Sequence, residues 1–274
     1  MVTRRFPEVR NAARERVKLG VREVLGRHNL DLVRDPFPAR VARAAHGLGI
    51  DIVIDVGANI GQFGSALRAN GYRGRIISCE PLPAAFARLR SRARRDPSWQ
   101  VVNRAMGAEP GTARLHVAGN SYSSSILRMT PAHIAAAPGS ATVDAIDVPV
   151  STVADVVQEY GIAPERTLLK IDTQGYEGRI LDGAADLLPR MGAIQLEISF
   201  VTLYEGQEPG GGLLRRMEGI GFELYAWDSS FSDPQTGRLL QADVVFTSRG
   251  TTDQSGTGAA ANAALGALAL VARP

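Results

Sequence analysis

DIVIDVGANIG, residues 51–61, is an apolar run that ends in a glycine turn. Ile52, Val53, Ile54 and Val56 give it the near-continuous apolar character of a strand covered on both faces. GQFGSALRANG follows and reads as a helix ended by Gly71. The unit recurs as GRIISCE then PAAFARLRSRARR, RTLLKID then EGRILDGAADLLPR, and AIQLEIS then GGLLRRMEGIG. Strand–helix repetition implies right-handed crossovers and a doubly wound α/β sheet. WQVVNRAMG reads as a further strand, and TVADVVQEYG as a helix capped by Ser151 or Thr152. Gly107 to Val150 reads as irregular, with TARLHVAG and VDAIDVPVS as short strands. FELYAW and QADVVFTSRG have no helix between them, so they are expected to close the sheet as an antiparallel hairpin with a long loop.

With 274 residues, 45% of them hydrophobic, the chain is long enough for one large α/β domain with a substantial core. Aromatic residues make up only 6%, which argues against a nucleic-acid platform built on base stacking. Residues 1–49 read as a basic helical extension, 50–249 as the main domain, and 250–274 as a disordered Gly/Ala/Thr-rich tail. Eleven Lys/Arg against five Asp/Glu lie within residues 1–46, and RLRSRARR (Arg88–Arg95) is a second basic cluster. These read either as solvated helix faces or as contacts for a membrane surface, an acidic partner or a lipid-linked substrate. TRRFPEV imitates a twin-arginine signal, but an amphipathic helix rather than an apolar segment follows. The apolar stretch AAANAALGALALVA is shorter than the about 20 residues that span a bilayer. One cysteine, Cys79, excludes an internal disulfide. The expected location is the cytoplasm.

The glycine loop contains Asp55, Gly57, Asn59 and Gly61. It is not the dinucleotide fingerprint, because Asn59 stands where that pattern has its middle glycine. The phosphate-loop lysine is also missing. The loop therefore suits close approach of a ligand without marking it for polyphosphate. Glu80 ends the second strand, where a carboxylate can accept both hydroxyls of a ribose. Asn103 and the small Ala105, in VNRAMG, are positioned to border an adenine ring.

VIDVGANIGQF, CEPLPAAFARL, VVNRAMG, SSSIL and above all LLKIDTQGYEGRILDGA resemble the FkbM-type methyltransferases over roughly residues 50–250. The resemblance implies the seven-stranded class I methyltransferase sheet with a final antiparallel strand. It implies S-adenosylmethionine as methyl donor and a hydroxyl acceptor, often on a sugar or polyketide. One departure is Gln174, where the family commonly has glutamate; no catalytic role is assigned to it.

An alcohol acceptor must lose a proton, and Asp172, Glu177 and Glu197 are carboxylates at or beside strand ends where one can take it. Glu177 also suits a helix N-terminus on dipole grounds alone. Lys170, one of only two lysines, shares a strand face with Asp172 and reads as an ion-pair partner that neutralises the carboxylates. Mg²⁺ held by the strand-end oxygens is the competing account, though no dense D-x-D pattern supports it. His28, His46 and His116 are dispersed; His133 falls in a segment that could cover the acceptor. A non-catalytic adenosine-binding scaffold and an N-methyltransferase are the alternative functions.

Overall fold

The computed structural model describes residues 36–249. The expected basic helix over residues 1–30, His28 included, and the tail 250–274 lie outside the described residues. The strands are β1 (Ile52–Val56), β2 (Arg75–Cys79), β3 (Trp99–Val102), β4 (Ala105–Met106), β5 (Gly111–Ala118), β6 (Thr142–Ser151), β7 (Thr167–Ile171), β8 (Ala193–Ser199), β9 (Phe222–Ser232) and β10 (Leu239–Ser248). The helices are α1 (Phe37–Gly47), α2 (Gln62–Ala69), α3 (Pro83–Ala93), α4 (Pro131–Ala136), α5 (Val153–Tyr160), α6 (Glu177–Asp182) and α7 (Gly210–Gly219).

Seven strands form one sheet in the order β3-β2-β1-β7-β8-β10-β9. Only β10 runs against its neighbours. On one face, Val53, Ile76, Leu168 and Val245 pack with Val41 of α1, Leu67 of α2 and Leu89 of α3. On the other, Ile54, Leu169, Ile194 and Val244 pack with Val156 of α5, Ile180 of α6 and Met217 of α7. Both faces are dry, which is why these strands read as unbroken apolar runs.

The structure refines the sequence reading at four places. First, α1 falls within the stretch read as the basic extension, yet it packs on the sheet. Phe37, Val41, Ala42 and Ala45 of α1 are buried in the sheet's own core. Second, WQVVNRAMG is two strands. Asn103 Nδ2 donates to the carbonyls of Glu80 (2.8 Å) and Pro81 (3.1 Å), and beyond it β4 joins a different sheet. Third, the two short strands expected within residues 107–150 are present as β5 and β6, of 8 and 10 residues; the addition is their partnership, since they pair antiparallel and with β4 make a separate three-stranded sheet. Fourth, the closing hairpin has a short loop. β9 takes in the polar DSSFS, and Asp233 Oδ1 closes the turn by accepting the N–H groups of Gln235 (2.8 Å) and Thr236 (2.9 Å). The cap of α5 is Thr152, in a reciprocal pair with Asp155.

Candidate active site

The face of the sheet that holds Val53, Ile76, Leu168, Ala193 and Val245 is apolar at one end of the strands and polar at the other. Side chains return to the same face every second residue. Two positions along from those residues stand Asp55, Ser78, Lys170, Gln195 and Asp243. The register aligns them across neighbouring strands: Asp55 opposite Ser78 and Lys170, Lys170 opposite Gln195, Asp243 opposite Glu197 and Asp228. Above this row lies a cavity of about 450 Å³, within the range of small-molecule sites. Phe37 and Pro38 of α1, Phe63 of α2 and the serines 121, 124 and 125 from the small sheet's connections complete its walls.

Gly57, Asn59, Glu80 and Ala105 line the cavity, together with Ala58, Arg104 and Met106. Gly57 has φ +75°, and a Cβ there would collide with the backbone carbonyl of Asp172. Its lack of a side chain is therefore required by the approach of β1's loop to the end of β7. Asn59 also occupies the left-handed region, at φ 47°. Its Oδ1 accepts the N–H of Ile60 (2.9 Å), and its Nδ2 donates to Ser121 Oγ (3.3 Å), tying the loop to the small sheet's connection. Glu80 Oε2 accepts the N–H of Asn59 (2.7 Å) and Oε1 that of Leu82 (2.8 Å). The carboxylate thus shapes the loop it faces, and each oxygen keeps acceptor capacity for a ligand hydroxyl. Burial raises the Glu80 pKa to about 7 against the pull of those two N–H bonds.

Three expected donor-site residues do not line the cavity. Asp55 is fully buried and committed to Ser78 Oγ (3.0 Å) and Lys170 Nζ (3.1 Å). Gly61 lies where a Cβ would press on Leu89 and Trp99, so it serves the packing of α2 on α3 and β3. Asn103 holds the β2 terminus, as described above.

Lys170, Asp172, Gln174 and Glu197 also line the cavity. Lys170 is buried, with Nζ 3.1 Å from Asp55 Oδ1 and 3.4 Å from Asp172 Oδ2. It also donates to the carbonyls of Gly57 (3.2 Å) and Val56 (3.4 Å). Burial disfavours its charge, but Asp172 and Asp55 outweigh that and hold its pKa above the ordinary lysine value. Gln174, in the left-handed region at φ 59°, bridges two carboxylates: its Nε2 donates to Asp172 Oδ1 (3.0 Å) and Glu197 Oε2 (2.8 Å). Tyr204 fixes which end of the amide points there by donating to Gln174 Oε1 (2.9 Å). Burial, with Asp172 and Glu177 nearby, drives the Glu197 pKa well above the usual carboxylate range.

Glu177 stands apart from the cavity lining. Its Oε1 accepts the N–H groups of Thr173 (2.9 Å) and Gly175 (3.1 Å) and the Thr173 hydroxyl (3.1 Å). It is the peg around which the turn after β7 is wound, and burial raises its pKa to about 7. His133 is buried on α4 against Tyr204 and Phe231, with ring centroids 5.1 and 5.6 Å apart, and does not face the cavity. Ser125, in SSSIL, donates to the carbonyl of Gln174 (2.8 Å), so that motif also serves the turn. Among the described residues no group of three or more His, Cys, Asp or Glu is arranged to hold a metal ion. No described helix is long and apolar enough to cross a membrane.

Sequence reasoning missed Gln195, Asp228, Asp243 and the bridge at Gln174. Period-two extension of each strand from its apolar residues would have found Gln195 and Asp243. Asp228 sits in the part of β9 that reads as loop, and the bridge exists only once β7 and β8 are neighbours.

A sheet of this order with one antiparallel strand, and a cavity at the C-terminal ends of its parallel strands, defines the class I methyltransferase fold. The methyltransferase FkbM domain matches residues 55–224, and the chain belongs to that family of S-adenosylmethionine-dependent methyltransferases. Comparison with curated proteins finds no match. Among solved structures, the chain is similar to a precorrin-6y C5,15-methyltransferase from Geobacter metallireducens, at 12% identity and TM-score 0.39, over 76% of this chain and 86% of that one. It is similar to the magnesium protoporphyrin IX methyltransferase of Synechocystis, at 9% identity and TM-score 0.42, over 77% and 76%. A third is the 1,6-didemethyltoxoflavin-N1-methyltransferase of Burkholderia thailandensis, at 12% identity and TM-score 0.41, over 90% and 92%.

Proposed function

We propose that this methyltransferase acts on oxygen, and that its acceptor is a hydroxyl of a sugar or polyketide-like small molecule. The observation that carries the reading is Asp172. It ends a parallel strand, lines the cavity, and keeps a third of its side chain exposed (33%) between Lys170 and Gln174.

S-adenosylmethionine, when bound, supplies an electrophilic methyl group on a sulfonium. The glycine loop and Glu80 suit its adenosine end: backbone at Gly57 and Ala58 allows close approach, and Glu80 faces the space a ribose would fill. Asp172 receives the acceptor's hydroxyl proton. Gln174 and Lys170 hold its carboxylate from two sides, so orientation is set before the acceptor arrives. Fixing reactants in line is worth up to about 7–11 kcal/mol of barrier, and proton removal about 10²–10⁴-fold.

The test is calorimetric titration with S-adenosylhomocysteine, followed by mass spectrometry of a cell extract incubated with isotopically labelled donor. The expected product carries its new methyl on oxygen. A methyl on nitrogen would replace this reading with an N-methyltransferase. Binding without turnover would leave an adenosine-binding scaffold.

A further inference from the structure

Glu197 and Asp243 stand opposite each other on β8 and β10, on one face, and both line the cavity. Directly opposed residues of an antiparallel pair carry Cβ atoms about 4.5–5.5 Å apart. The other charged groups nearby are already paired: Lys170 with Asp55 and Asp172, and Asp228 with Arg40 at 3.2 Å. Among the described residues neither Glu197 nor Asp243 makes an ion pair with a cation. Both hydrogen bonds to Glu197, from Gln174 and Gln241, fall on Oε2, so Oε1 keeps acceptor capacity.

An independent observation points the same way. Gln195 also lines the cavity, is only 3% exposed, and its Oε1 has no hydrogen-bond partner. Its Nε2 makes only a long contact of 3.5 Å to Asp243 Oδ1. Unsatisfied buried acceptors are costly, and buried carboxylates without a cation more so. The unpartnered Gln195 Oε1 thus stands beside two carboxylates that keep acceptor capacity. An ammonium group brings three N–H donors and the missing positive charge.

We propose that the acceptor carries a protonated amine as well as the hydroxyl, and that this amine seats between Glu197 and Asp243 beside Gln195, with the hydroxyl at Asp172. The substrate class is an amino alcohol, such as an amino sugar or aminocyclitol. This deepens the O-methyltransferase reading and rests on it.

Matched probe pairs test it: cyclohexylamine against cyclohexanol, and 2-amino-2-deoxyglucose against glucose, followed by ligand-observed NMR with and without S-adenosylhomocysteine. The amine of each pair is expected to bind about tenfold more tightly, a difference typical of one charge-assisted contact. The double substitution Glu197→Gln with Asp243→Asn should level each pair and leave S-adenosylhomocysteine affinity unchanged. Equal binding within pairs, or no binding by either member, overturns the proposal. Loss of S-adenosylhomocysteine affinity in the double variant also overturns it, because the carboxylates would then serve the donor. Failure of the parent protein to bind S-adenosylhomocysteine would instead sink the methyltransferase reading, while the amine preference measured alone still reports on the pocket.

Discussion

Lys170 of β7 lies directly opposite Asp55 of β1, with its ammonium 3.1 Å from Asp55 Oδ1 and both side chains almost fully buried. Removing one partner leaves an uncompensated charge in the sheet. Lys170→Met is therefore expected to cost about 3–5 kcal/mol. Urea denaturation checks it, and a midpoint close to the parent's would show that the pair is dispensable.

Gly57→Ala is expected to destabilise the chain even without ligand. The new Cβ meets the Asp172 carbonyl, and φ +75° is strained for alanine. Backbone strain of this kind costs about 1–3 kcal/mol before the collision is counted. Thermal denaturation of the ligand-free variant measures it; a parent-like melting temperature with lost donor binding would restore a purely ligand-contact role.

Glu80→Ala is expected to weaken S-adenosylhomocysteine binding by about 1.5–3 kcal/mol, the usual cost of losing a charged hydrogen-bond partner. Part of that loss comes from Asn59 and Leu82, whose N–H groups lose their acceptor. Calorimetric titration reads the change, and an unaltered dissociation constant would remove Glu80 from the donor site.

Asp172→Asn should bind donor normally and lose about 10²–10⁴-fold in turnover, the range for a general base. Asp55 remains to hold Lys170, so the fold is expected to persist. Turnover at the parent rate would shift the base to Glu197 or to the substrate itself.

Stability of the ligand-free protein should fall as pH rises from about 5 to about 8. Burial pushes Glu80 and Glu177 to about 7 and Asp243 to about 6, and Glu197 well above its ordinary range. In the folded state these groups keep protons that the unfolded chain has already released. Their contribution is fully present below the unfolded carboxylate range and is lost as pH climbs through the folded values. Melting temperatures across this interval check the direction; a rise toward pH 8 would mean the carboxylates are not held as described.

The paired apolar strands, the glycine turn at Gly57, the carboxylates Glu80, Asp172 and Glu197, and the ion-pairing lysine were all legible in the sequence. Each is a local signal: burial on both faces writes a continuous apolar run, and a strand-end charge interrupts one. What the tertiary structure decided was partnership. Lys170 pairs first with Asp55, a residue 115 positions away in sequence, because β1 and β7 become neighbours only when the crossovers close. Gln174 acquires its bridging role the same way, by lying between Asp172 on its own strand's end and Glu197 on the next. Glu177 and His133 leave the expected site because their side chains find nearer partners: backbone N–H groups for the first, aromatic rings for the second. Periodicity reports which face a side chain takes. Only the register of strands distant in sequence sets what it meets there.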